Sequence, residues 1–252
     1  MSVLVVVGVC QGSSRRGGWV PLLNGVSFEV DAGEVVAIVG GRLSGKTTLL
    51  EIAAGIETPE GGSVRLSGHE VTGMPARQRS RLRGRDHELV WLNRVGMAQR
   101  LKVATIVGWS LALQLGHREA ERRAAGMLER VGALDCAHKR WADLSPWQQL
   151  LVGLARAFVA PPKLVVIDDL LDALGPPATT EASRLLRSLI AEYDPHCGVL
   201  MSASDRDSAL FADRVWSLNG GKLTPKSGHR DSEAEIVPFQ RRDEGGGSRR
   251  AG

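Results

Sequence analysis

Residues 40–48 read GGRLSGKTT, between the apolar run VVAIV (35–39) and LLEIAAG (49–55). Strand, glycine loop, Lys-Thr and helix in that order describe a phosphate cradle. Gly40-x-x-x-x-Gly45-Lys46-Thr47 fits the P-loop pattern in full. Glycines let consecutive backbone N–H groups turn onto phosphate oxygens, Lys46 supplies a cation, and the Thr47 hydroxyl can ligate Mg²⁺. The helix that follows points its positive end at the anion. The whole stretch Gly40, Gly41, Arg42, Leu43, Ser44, Gly45, Lys46, Thr47 and Thr48 is therefore assigned to nucleotide phosphate. A chance glycine-rich turn would not fall so regularly between a buried strand and a helix.

A phosphate-bound metal needs an acidic partner. LVVIDD at 164–169 supplies it, four apolar strand residues ending in Asp168 and Asp169. Asp168 is placed to hold Mg²⁺ and Asp169 to orient an attacking water. Two acids capping a strand would be the better reading in isolation; beside the phosphate loop they are not isolated.

Outward from these motifs, strands are predicted at 3–9, 26–30, 35–39, 63–67, 163–168, 198–202 and 214–218, the last closed by the turn Asn219-Gly220-Gly221. The later strands alternate with helical patterns at 178–193 and 205–212, which predicts a mostly parallel sheet. Residues 102–160 carry no strand signal, and HREAERRAAGMLERVGAL (117–134) has helical spacing, so this stretch reads as an all-helical insertion. The predicted fold class is α/β, a P-loop core with a mostly parallel sheet, an antiparallel β portion and an inserted helical subdomain. A single domain spans 1–224, with its core in 1–101 and 161–224 and the subdomain at about 102–160. From Pro225 periodicity is lost, and 225–252, ending GGGSRRAG, reads as a disordered tail.

Composition narrows the partners. The 252 residues are 43% hydrophobic and 24% charged with a formal charge of +4, ordinary for a globular chain and too mildly basic to argue for nucleic acid. ARQRSRLRGR (76–85) scatters its arginines around a helix, which reads as a solvated surface. Three cysteines, far apart, suit a reducing cytoplasm. The apolar start MSVLVVVGVCQGSS has no basic residue before its run and reads as a strand rather than a leader or lipid-attachment segment. No stretch approaches the ~20 apolar residues that cross a bilayer, so direct membrane insertion is not expected.

With the motifs in place, the chain resembles the ATP-binding subunit of an ABC transporter over nearly everything from residue 3 to about 224. The resemblance is carried by VSFEVDAGEVVAIVG (26–40), TPEGGSVRLSGHEV (58–71), LSPWQQLLVGLARAFVAPPKLVVIDD (144–169) and ADRVWSLNGGKL (212–223). VGWSLALQLG (107–116) looks most like subunits of lipoprotein-release and macrolide-export systems. The resemblance implies ATP and Mg²⁺ as ligands, a separate membrane permease, and a homo- or heterodimer of ATP-binding subunits. It also implies a peripheral place on the inner face of the cell membrane. In this family two domains close head to tail, each ATP lying between the P-loop of one and the LSGGQ signature of the other.

Against that pattern several positions depart. The signature reads Leu144-Ser145-Pro146-Trp147-Gln148. Ser145 and Gln148 retain polar groups for a partner's nucleotide, but Pro146 has no N–H and Trp147 is bulky where close approach is needed. The catalytic glutamate is Asp169, one methylene shorter. The switch histidine aligns with Ser204, which cannot be cationic. The metal-sensing glutamine aligns with Asn93 in LVWLN (89–93), and the D-loop aspartate with Gly175 in DALG (172–175). No Tyr or Phe sits where the family stacks an adenine ring; Trp19 is the nearest aromatic, and a buried packing role fits it at least as well. Binding groups are retained while groups that drive hydrolysis are eroded. Two functions fit: an ATPase subunit that energises a permease slowly, or a non-hydrolysing ATP-binding module.

Overall fold

The computed structural model describes residues 1–226 apart from 16, 17, 85–88, 94–99, 172, 173, 194, 206–208 and 210. The tail expected over 225–252 thus lies, from 227 on, outside the described residues.

The chain opens with a long antiparallel pair, β1 (Ser2–Arg15) and β2 (Gly18–Asp31). β1 also pairs with β4 (Gly61–Leu66), which turns into the short β5 (His69–Glu70). These form a sheet of order β2-β1-β4-β5. The expected strands at 3–9 and 26–30 are here 14 residues each, because the ladder carries past the apolar runs into Gly12, Ser13 and Ser14, opposite Pro21, Val20 and Trp19.

The second sheet has the order β10-β9-β3-β8-β7-β6. Its parallel centre is β3 (Val35–Val39), β8 (Gly198–Ala203) and β7 (Leu164–Asp168), flanked by β9 (Arg214–Asn219) and β6 (Leu89–Asn93). β10 (Lys222–Pro225) returns antiparallel through the Gly220-Gly221 turn. Two of these strands were not expected. LVWLN is a short apolar run that periodicity alone cannot assign, and it becomes β6 by pairing with β7.

Helices cover the central sheet. α1 (Lys46–Ala53) follows β3, and α2 (Ala76–Gly84) precedes β6. Between 102 and 160 lie α3 (Val103–Leu115), α4 (His117–Arg130), two 3₁₀ turns and α5 (Pro146–Phe158), with only the Lys102–Arg140 bridge as β structure. α6 (Pro176–Tyr193) joins β7 to β8. Of the helix expected over 205–212, Ala209 lies in a 3₁₀ turn, Asp205 in a bend and Phe211 in a turn, while 206–208 and 210 lie outside the described residues.

Period-two alternation divides two cores. Val35, Ala37, Val39, Val165, Ile167, Val199 and Met201 face a core shared with α3 to α6. Val36, Ile38, Leu164, Val166 and Leu200 face the other, with α1 and the first sheet. Parity places Asp168, two beyond Val166, on the face that α1 covers. Ser202, two beyond Leu200, shares it. The strand alternation thus selects which polar side chains reach the phosphate loop.

Candidate functional site

The loop between β3 and α1 sits at the carboxyl ends of the central strands, where ligands bind in open α/β sheets. Gly40 N–H donates to the Ala203 carbonyl at the end of β8, 3.3 Å away. A Cβ on Gly40 would lie 2.6 Å from Ser44 Oγ and 2.8 Å from the Leu218 carbonyl, so only glycine lets the loop leave the sheet here. Gly45 is the N-cap of α1 with φ +99, and offers no side chain to the first-turn N–H groups. No acidic residue lies in that turn. The positive helix end remains available to an anion.

Lys46 Nζ donates to the Gly40 carbonyl at 2.6 Å and to the Gly41 carbonyl at 3.2 Å, folded over the loop it would share with a phosphate. Ser44 Oγ is buried without a hydrogen-bond partner. Leu43 belongs to the loop by position alone; its backbone has φ +61 and the residue is 83% exposed. An L-residue in the left-handed region is strained.

Asp168 is buried at the end of β7. Burial raises its pKa, and so does the neighbouring Asp169 charge; hydrogen bonds from Ser202 and Thr47 and the Lys46 charge oppose the shift. Glu51, one turn along α1, also has a raised pKa, from burial first and then from Glu57 and Asp168. Negative charge is thus concentrated beside the helix that begins at Lys46. A carboxylate, a hydroxyl and a lysine ammonium meeting at a glycine loop fit a hard divalent cation held with phosphate oxygens.

Ser202 was not singled out by sequence. Its Oγ lies 2.8 Å from Asp168 Oδ1, accepts from the Asp169 N–H at 2.9 Å and lies 3.3 Å from Asp169 Oδ1. The signal was present as a lone hydroxyl in the apolar run GVLMSA, at the carboxyl end of a central parallel strand. Asp169 itself is exposed and adopts φ +51, a region that aspartate enters more readily than most residues.

Asn93 ends β6 directly opposite Asp168 in register; its side chain, like that of Trp19, lies outside the described residues. Ser204 follows β8, is exposed, and its hydroxyl donates to Asp205 Oδ2 at 3.4 Å. Gly175 is exposed just before α6 and its carbonyl accepts from the Thr179 N–H, while Asp172 and Ala173 lie outside the described residues.

Ser145 and Gln148 bond to each other. Ser145 is the N-cap of α5: its Oγ accepts from the Gln148 N–H at 3.2 Å, and its own N–H donates to Gln148 Oε1 at 3.1 Å. Pro146 takes the first helical position, where a missing N–H costs nothing and its fixed φ suits the helix. Trp147 packs partly against the core of the helical elements. Further along α5, the buried Arg156 guanidinium donates through Nη2 to the Trp91 carbonyl of β6, and burial pushes its pKa down to about 10.

The likenesses to known proteins agree with this geometry. A family model described as ABC transporter matches residues 23–171. The lipoprotein-releasing system ATP-binding protein LolD of Ruegeria sp. (strain TM1040) is 32% identical over 209 residues, 83% of this chain and 91% of its own length. The methionine import ATP-binding protein MetN of Rhizobium etli is 36% identical over 217 residues, again 83% of this chain; the chain spans only 57% of that relative's length. Among solved structures, a dimeric post-hydrolysis state of the ATP-binding cassette MJ0796 bound to ADP and Pi aligns with TM-score 0.79 and 21% identity, covering 88% of this chain and 97% of its own.

Proposed function

Because the chain belongs to the ABC transporter ATP-binding family, we propose that it is the ATP-binding subunit of an ABC transporter. In this reading it works with a separate membrane permease, binds Mg-ATP at its phosphate loop, and hydrolyses it slowly. The observation that carries the binding half is the meeting of Lys46, Thr47 and the buried Asp168 on one face of the central sheet. Lys46 would leave the Gly40 and Gly41 carbonyls for phosphate oxygens, and the first-turn N–H groups of α1 would complete the cradle. Bound Mg²⁺ would neutralise phosphate charge, with Thr47 and Asp168 its nearest protein groups and Asn93 beside them in register.

The residues around that centre support the reading of slow hydrolysis. Asp169 is a short base whose backbone is tied to Ser202, and Ser204 bonds its own neighbour. At the start of α5 the capping box occupies the Ser145 and Gln148 N–H groups and Pro146 has none, so the donors left toward a partner's nucleotide are the Ser145 hydroxyl, the Gln148 amide and the Trp147 N–H beside its own bulky indole. Preorganised donors of this kind are each worth about 10²–10³ in rate. Residues 102–160 serve as a helical subdomain in this reading, and the assembly is a homo- or heterodimer held at the inner membrane face by the permease. Among the described residues no helix is long and apolar enough to cross a membrane. The Pro146 cap also suits the second reading, an ATP-binding module that does not turn over.

Saturating Mg-ATP should raise the thermal midpoint of the purified chain, since ligand at about 100 Kd adds roughly 2.7 kcal/mol. Lys46→Ala should lose the shift. An equal shift in that variant, or none in the wild type, would remove the assignment.

A further inference from the structure

We infer that Ser202 is a positioning residue of this nucleotide site, holding the metal-side carboxylate and the base beside it through one buried hydroxyl; the inference rests on the nucleotide reading above. Ser202 is 1% exposed in a strand that is otherwise apolar, and a buried hydroxyl must find partners. It finds both acids. A hydroxyl carries a single proton. The 2.8 Å contact to Asp168 Oδ1 takes it in preference to the 3.3 Å contact to Asp169 Oδ1. The oxygen then accepts the Asp169 N–H at 2.9 Å.

Each bond has a consequence. The first fixes one oxygen of Asp168 on the side of the carboxylate where β8 lies, while Thr47 bonds the same carboxylate from α1. The second anchors the Asp169 backbone where the strand ends and the chain turns into φ +51, and so sets the direction in which the Asp169 side chain leaves the sheet. One hydroxyl thereby links the position of the metal-side acid to that of the base. An alanine could fill most of the same space, yet it would leave Asp168 Oδ1 and the Asp169 N–H without these bonds. Packing alone therefore does not account for a serine here. Partners that orient a metal-binding carboxylate are worth about 10- to 100-fold in metal affinity.

The test uses the full chain with Mn²⁺ as a spectroscopic probe and a non-hydrolysable ATP analogue. Ser202→Ala should weaken Mn²⁺ binding about 10-fold, with nucleotide affinity in EDTA unchanged. Ser202→Thr, which keeps the hydroxyl, should retain wild-type Mn²⁺ affinity. Ser202→Cys fills the site with a poorer donor, and should show the same selective loss if the alanine variant does not fold. Wild-type Mn²⁺ affinity in folded Ser202→Ala or Ser202→Cys would overturn the inference, as would an equal loss of nucleotide binding in EDTA. A wild type that binds no nucleotide, with Lys46→Ala indistinguishable from it, would instead overturn the underlying site assignment and this inference with it.

Discussion

Leu43 stands at φ +61 with its side chain in solvent, so its backbone strain is offset by no packing of its own. A left-handed L-residue costs about 1–2 kcal/mol, and glycine returns about 0.5–1 kcal/mol of that as unfolded-state entropy. Leu43→Gly should therefore stabilise the chain by up to about 1 kcal/mol in denaturant unfolding; a loss of stability would mean that the leucine makes a contact that matters. Asp168 carries the opposite tension. Its folded pKa is raised, chiefly by burial, so the folded state favours its protonated form. That contribution is present below the unfolded pKa and is lost as pH rises through the folded value. At neutral pH the buried charge is a net cost, and Asp168→Asn should melt higher than wild type without nucleotide while losing the Mg-dependent part of the nucleotide shift. A lower melting point without nucleotide would contradict that sign. That Lys46, Thr47 and Asp168 come together was legible in the sequence because their motifs are local and their chemistry distinctive. Ser202 was not, because its partners are 33 and 34 residues away and meet it only once β7 and β8 lie side by side. The left-handed turn at Leu43 likewise leaves no mark on residue type.

At the scale of elements, the start of α5 is where stability and the proposed catalysis pull apart. The reciprocal bonds between Ser145 and Gln148, and Pro146 in the first turn, make a well-closed helix end. Ser145→Ala should cost about 1 kcal/mol, the usual worth of an N-cap. Replacing Pro146-Trp147 by Gly-Gly should also destabilise, by about 1–2 kcal/mol, since glycine loosens the turn and the Trp147 packing is lost. Both are read from denaturant midpoints, and a gain from the glycine pair would show that the present cap is strained. The sequence showed Pro146 as a missing donor; only the capping box shows what it does for the helix. β6 was illegible for a related reason. Its five residues have no periodicity of their own, and strand formation depends on β7, far along the chain. β3, β7 and β8, buried throughout and rich in branched apolar residues, were read correctly because a central parallel strand needs no partner to be recognised.

Across the whole molecule, one sheet with two differently covered faces explains why so few residues make the candidate site. The face toward α1 receives Asp168 and Ser202 by strand parity, while the face toward α3–α6 receives only apolar side chains from the same strands. The fold class was legible from the order of strands and helices; the first sheet's length and the order of the second were not, since both depend on pairing across the chain. If the proposed reading holds, with binding groups intact beside altered hydrolytic ones, restoration should be cooperative. Asp169→Glu, Ser204→His and Pro146-Trp147→Gly-Gly together should raise turnover far more than any one of them, because groups acting on one transition state are not additive. A full gain from Asp169→Glu alone would assign the slowness to the base. The most direct measurement is steady-state ATP turnover by the purified wild-type chain, beside calorimetric Mg-ATP binding, with Lys46→Ala as the control for both. The expected result is binding that Lys46→Ala abolishes, with turnover well below about one per second, a slow rate against typical enzyme values. Turnover of several per second that Lys46→Ala removes would contradict it.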